Sequence, residues 1–258
     1  MRPGTDCSAE RPVAAAPSRA AGRAGEQGRR VVLLHGLWMN RLAMAWLARR
    51  LREAGFVPAT FGYHSLFGGP EGAVPRLQAL LRRGPPAHVV AHSLGGLIVL
   101  EALLRDPRLP LGRVVCLGVP LCGSGAARRL ARWPLASLWM GRSAALLQRG
   151  CVAWPRAGRV GMVAGRIPRG LGGLVAGFHE PHDGTVAVAE TRHPGLADHV
   201  VVEASHSGLL VSSEAARQAI AFLRDGHFGS MPRADLPVRG DDAPVDAPGR
   251  AGTGTRIA

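Results

Sequence analysis

Apolar residues come in short blocks separated by amphipathic stretches. Residues 31–34 form an apolar run of strand length, and 56–63, 87–91, 113–118, 160–164, 186–189 and 199–203 read as strands in the same way. Between the first two strands, Leu42, Trp46, Leu47 and Leu51 recur at a helical period across 41–54, and Gly55 closes the run. Residues 74–83 predict a helix ended by Gly84-Pro85-Pro86. Residues 94–105 predict a nearly all-apolar, buried helix stopped by Asp106-Pro107, and 209–223 a closing helix. Strands alternating with helices predict an α/β fold, a mostly parallel sheet with helices on both faces.

The ends differ from the body. Residues 1–28 are rich in Ala, Arg, Pro and Gly without periodicity, and 230–258 mix Arg and Asp with Pro and Gly, so both read as disordered tails. The body, 29–229, reads as one domain without internal repeats. One connection in it, between the strands at 113–118 and 160–164, is about forty residues, too long for an ordinary loop. It holds Trp133, Trp139 and Trp154 with several Leu. The expectation is a helical cap insertion at about 122–158 whose apolar face covers a pocket, with Trp133 and Trp139 as pocket residues.

Composition narrows the chemistry. The chain has 258 residues, 47% hydrophobic and 19% charged, which is globular. Its 32 basic residues against 18 acidic give +14, and every basic residue is Arg. Without Lys there is no P-loop lysine, no Schiff base, no pyridoxal-phosphate attachment and no Ser-Lys dyad. The Arg, Ala, Gly and Pro excess resembles that of a GC-rich genome, so the charge is assigned to codon bias before nucleic-acid affinity. With 5% aromatic residues and no nucleic-acid-binding signature, no specific nucleic-acid partner is expected. From Pro107 to His179 there is no acidic residue but eleven Arg, a rim suited to peripheral contact with an anionic membrane. No signal peptide or transmembrane run is read, so the expected location is cytoplasmic, with membrane association as an addition. Cys7, Cys116, Cys122 and Cys151 form no C-x-x-C pair. They read as reduced thiols, or as a local Cys116–Cys122 disulfide if the protein is exported.

The chemistry concentrates at Ala91-His92-Ser93-Leu94-Gly95-Gly96, which lies between a predicted strand and a predicted helix. A nucleophile elbow puts its Ser on such a turn, strained and exposed above the sheet, with small residues at −2 and +2 where the backbones crowd. Ala91 and Gly95 fill those places. A Ser nucleophile needs a base and the base an orienting carboxylate. Hydrolases of this architecture order them Ser, Asp, His. Downstream come His182-Asp183-Gly184-Thr185-Val186 and Ala204-Ser205-His206-Ser207-Gly208, on predicted loops at strand ends. His35-Gly36-Leu37-Trp38 follows the first strand, so the Leu37 and Leu94 N–H groups are candidate oxyanion donors.

These segments, together with Gly118-Val119-Pro120-Leu121-Cys122-Gly123-Ser124, resemble the lipase/esterase branch of the α/β-hydrolases. They are similar to bacterial triacylglycerol-lipase-like proteins and, more distantly, to inositol-deacylase relatives. The resemblance spans roughly residues 30–225. It implies Ser93 as nucleophile, Asp183 as orienting acid, His206 as base, and Leu37 and Leu94 as oxyanion donors. The ordered Ser, Asp and His suggest attack on a carboxylic ester or lipid through an acyl-enzyme, with no cofactor expected. The resemblance leaves the substrate within that branch open.

Rival residues are present. Glu180, Glu190 and Asp198 compete with Asp183, and His193 and His199 with His206. Asp183 is preferred because Gly184 marks a turn, and His206 because His199 opens a strand. His35 and His92 read as structural. Trp38 joins the pocket candidates. His179 and His182 with Asp183 lack a third His or Cys ligand, so no metal site is expected. Gly123-Ser124-Gly125 lacks the third glycine of a dinucleotide turn. Two other functions stay open: acyl transfer on the same triad, and a non-catalytic membrane-peripheral interaction protein on a hydrolase fold.

Overall fold

The computed structural model describes residues 28–65, 68–125, 141–148, 153–155, 158–169 and 180–229. Six strands form one sheet: β1 (Arg30–Leu34), β2 (Val57–Phe61), β3 (Ala87–His92), β4 (Leu111–Leu117), β5 (Val160–Gly165) and β6 (Asp198–Val202). Their order is β2-β1-β3-β4-β5-β6, and every pair is parallel. The described helices are α1 (Ala45–Glu53), α2 (Gly69–Arg82), α3 (Leu94–Arg105), the short α4 (Ala144–Gln148) and α5 (Ser213–Asp225).

The period of two along each strand divides the core. In β1, Val32 and Leu34 face one way with Val89, Ala91 and Cys116, against Leu77 of α2 and Ile98 of α3. Val31 and Leu33 face the other way with Val90, Val115 and Leu117, against Leu47 of α1 and Phe222 of α5. β3 is buried throughout because it has a strand on each side and helices on both faces. Chain order runs outward from β1 to β2, then back to β3 on the other side. That reversal opens a crevice at the carboxyl ends of β1 and β3, where ligands bind in open α/β sheets.

Several predicted elements moved. The helix expected at 41–54 begins as a 3-10 turn, Arg41–Met44, capped by the Asn40 side chain, before α1. α2 starts at Gly69, earlier than the predicted 74. Pro70 occupies its first turn, where a missing N–H costs nothing. The predicted strand at 186–189 does not form. Asp183 Oδ1 instead captures the N–H groups of Thr185 and Val186, and Val186 returns its carbonyl to Asp183 N–H, so the chain folds back there. Only an isolated His182–Ala187 bridge remains, followed by the 3-10 turn Ala189–Thr191. The closing helix divides into a 3-10 turn, Gly208–Leu210, and α5. Ser212 caps α5 by accepting from Ala215 N–H.

The cysteines depart from both readings, four reduced thiols and a local Cys116–Cys122 disulfide. Cys116 is a free thiol in the middle of β4, facing the α2/α3 core, and burial pushes it up to about 12. Cys122 is disulfide-bonded, so the cysteines are not all reduced. Of the predicted cap, Leu146, Leu147 and Trp154 are buried in the core cluster that contains α2 and α3. Trp133 and Trp139 lie outside the described residues. No described helix is long and apolar enough to cross a membrane.

Candidate active site

Ser93 sits between β3 and α3 with φ 53° and ψ −124°. Among the described residues only it and Trp38 have positive φ without being glycine. Such a backbone costs about 1–3 kcal/mol and persists only where its surroundings fix it. Here Ser93 N–H donates to Leu117 O at 3.0 Å, and Gly96 N–H donates to Ser93 O at 3.0 Å. The turn also needs close packing behind it. A Cβ on Gly95 would lie 2.9 Å from Leu34 Cβ and 2.8 Å from His35 O, so the glycine lets α3 approach β1.

Asp183 and His206 meet on the far side of β4. His206 Nδ1–H donates to Asp183 Oδ2 at 2.7 Å, and Asp183 is 1% exposed. The other carboxylate oxygen accepts from Thr185 N–H at 2.9 Å and Val186 N–H at 2.7 Å. His206 N–H donates to Asp183 O at 2.8 Å, which ties the two loops together. With Nδ1 carrying the proton, Nε2 of His206 is the basic nitrogen.

His92 adds a third hold. Its Nε2–H donates to His206 O at 2.9 Å, and the two rings lie 4.6 Å apart. His92 is fully buried; burial, and then the neighbouring His206, push it down to about 3, so it is neutral. Its Nδ1 has no hydrogen-bond partner among the described residues and faces Gly36, where a Cβ would lie 2.9 Å away. From the sequence alone His92 reads only as structural. Its neighbour Gly118 carried no role at all. Gly118 has φ 56°, and a Cβ there would lie 3.1 Å from Asp183 Oδ2 and 3.2 Å from His206 Nδ1. A glycine directly after a strand was the only available signal.

The turn after β1 supplies the opposite wall. A Cβ on Gly36 would lie 3.1 Å from Ser93 Cβ. Trp38 N–H donates to Ser65 Oγ at 3.2 Å and fixes the strained residue. Neither Leu37 N–H nor Leu94 N–H has an acceptor among the described residues. His35 stacks on Tyr63 at 4.4 Å, and Tyr63 OH donates to His35 O at 2.7 Å. Burial lowers His35.

The rival residues lie elsewhere. His199 donates to Thr191 Oγ1 at 2.8 Å, and His193 Nδ1 accepts from Gly195 N–H. Asp198 accepts from His199 N–H and Phe228 N–H. Glu190 accepts from Ala187 N–H and Gly125 N–H. Glu180 is exposed. His182 Nδ1 accepts from Gly184 N–H, and His179 lies outside the described residues. The described residues hold no cluster of three metal-ligating side chains.

No family model matches the chain, and no curated protein matches it. Solved structures do. The mature form of lipase BlEst2 of Bacillus licheniformis is 20% identical, with a TM-score of 0.61 over 76% of this chain and 91% of that one. A metagenomic carboxyl esterase is 22% identical, with a TM-score of 0.56 over 76% of this chain and 68% of that one. A lipase-esterase related protein of Clostridium acetobutylicum is 10% identical, with a TM-score of 0.52 over 78% and 95%. At these identities the likeness is one of fold. With six parallel strands flanked by helices, the chain has the α/β-hydrolase fold.

Proposed function

We propose that the protein is a serine hydrolase that cleaves carboxylic esters through an acyl-enzyme on Ser93. One observation carries the reading: the buried Asp183–His206 pair is held against the residue preceding a strained Ser93, at the carboxyl end of the sheet. The names of the solved structures of like fold, lipases and esterases, agree with it.

In this reading His206 Nε2 takes the Ser93 hydroxyl proton as Oγ attacks the ester carbonyl carbon. Asp183, already desolvated and bonded to Nδ1–H, stabilises the imidazolium that forms. The Leu37 and Leu94 N–H groups hold the tetrahedral oxyanion, aided by the N-terminal end of α3. His206 then returns the proton to the departing alkoxide. Water, deprotonated by the same nitrogen, attacks the acyl-enzyme and releases the acid. Every member is protein, so the cycle uses no cofactor.

Hydrolysis of C2 to C16 nitrophenyl esters by wild type and Ser93→Ala tests this. Wild type releases nitrophenol, the variant is slower by about 10³-fold or more, and the chain-length optimum separates esterase from lipase. Product analysis with added alcohol separates hydrolysis from acyl transfer. Equal rates in wild type and Ser93→Ala contradict the proposal.

A further inference from the structure

Beside the site lies a second feature that the mechanism does not use. A cleft of about 530 Å³ opens between the turn after β1 and α2. Ser93 does not line it, but His35 does, and Gly36 next to His35 is the residue packed on Ser93. The cleft and the nucleophile thus share one turn as their wall.

Its lining is charged with one sign. Arg41 enters from the start of the 3-10 turn and Arg76 from α2, and among the described residues no Asp or Glu takes part. In a chain with 32 Arg, a single arginine at a surface means little. Two that converge from different elements without a carboxylate mean more. They meet at Gly62: Arg76 donates to Gly62 O at 3.2 Å, and the Arg41 side chain runs 3.8 Å from where a Gly62 Cβ would be. The exposed Arg76 guanidinium also lies 5.6 Å from the centre of the Phe61 ring, a second contact that directs it toward the cleft. Each guanidinium keeps further N–H donors in a fork that matches a carboxylate or phosphate. Some other Arg residues are spent on protein carboxylates: Arg82 on Asp106, Arg105 on Glu71 and Glu101, and Arg217 on Glu214. Arg41 has no such partner among the described residues, and Arg76 none that is acidic.

We propose that this cleft binds an anionic group, a carboxylate or phosphate, carried by the ester substrate, with Arg41 and Arg76 as specificity-determining residues. The proposal rests on the ester-hydrolase reading for the word substrate, but anion binding itself does not. Trp38, 56% exposed on the cleft wall, and Met39 offer apolar surface to the rest of the molecule.

Two measurements on the full chain keep the claims apart. The first is calorimetric titration of wild type, Arg41→Gln, Arg76→Gln and the double variant with glutarate and with inorganic phosphate. Wild type binds at least one of them, each single variant weakens that binding by about tenfold or more, and rising salt weakens it further. Glutarate against phosphate tells which anion fits. The second is kcat/KM for nitrophenyl butyrate against mono-nitrophenyl glutarate and a short-chain acyl glycerol phosphate. Wild type prefers an anionic ester. The double variant loses that preference by about tenfold or more and keeps its nitrophenyl butyrate rate within about twofold. No binding of either anion by wild type, or unchanged binding in the double variant, overturns the proposal. So does an anionic preference that survives the double substitution. Anion binding that needs both arginines, with no ester cleaved, leaves the cleft assigned and removes the hydrolase reading instead.

Discussion

His92 Nε2 lies 2.9 Å from the carbonyl oxygen of His206, across 114 residues of sequence. The bond joins the residue before the proposed nucleophile to the main chain of the proposed base. It makes His92 a positioning residue, because among the described residues its side chain hydrogen-bonds His206 alone. His92→Phe removes the donor, and His92→Gln restores an N–H at a similar reach. A hydrogen bond of this kind is worth about 0.5–1.5 kcal/mol, so kcat falls by up to about tenfold in the Phe variant and recovers in the Gln variant. KM changes little in either. A merely structural role would lower thermal stability in both and leave kcat per folded molecule alone.

Gly118 tests the other side of the same histidine. With φ 56° and neighbours at 3.1 and 3.2 Å, any side chain there presses on the Asp183–His206 bond. Gly118→Ala displaces the imidazole, and a shift near 1 Å costs about 10²-fold in turnover. Circular dichroism and kcat on the same sample separate this from unfolding.

The backbone at Ser93 makes a prediction about stability. Ser93→Ala keeps the Cβ and its strain, whereas Ser93→Gly removes the Cβ. Both abolish turnover in the proposed mechanism. The Gly variant is the more stable of the two by about 1 kcal/mol, since the strain relieved, about 1–3 kcal/mol, exceeds the entropy that glycine costs, about 0.5–1 kcal/mol. Urea unfolding of the pair decides it.

Acid weakens this fold through its buried histidines. Burial lowers His35, His88, His92 and His199, with His92 at about 3. Below the ordinary value of 6.5 the unfolded chain binds protons that the folded chain refuses, so stability falls as pH falls. For His92 the loss runs from about 6.5 down to about 3 at up to about 1.4 kcal/mol per pH unit. Urea midpoints between pH 7 and 5 should drop, and less steeply in His92→Gln.

The strand–helix alternation was readable because β1, β3 and β5 are short apolar runs and α3 is apolar except on its Glu101–Arg105 face. Ser93, Asp183 and His206 could be proposed from the sequence because the proposed chemistry constrains their types and order. Their joining was not. It depends on Asp183 folding its own loop and on His206 N–H finding Asp183 O, contacts with no local period. The strand predicted at 186–189 failed for the same reason, a side-chain oxygen capturing the N–H groups a strand needs. His92 and Gly118 matter through what lies opposite them in space. The Arg41–Arg76 convergence on Gly62 was equally hidden, since their spacing means nothing until β2 and α2 are in place.

The cysteines give a direct chemical check. One disulfide at Cys122 and a free Cys116 leave two thiols among the chain's four cysteines. Thiol titration of denatured, unreduced protein should count two, and four after reduction. Four before reduction would mean that no disulfide forms.

The central claim is that Ser93 is a nucleophile activated by His206. The most direct test is a fluorophosphonate probe on folded wild type, with the modified peptide identified by mass spectrometry. The account predicts one adduct, on Ser93, whose formation is lost in His206→Ala. No adduct on folded wild type, an adduct on another residue, or an undiminished rate in His206→Ala would contradict it.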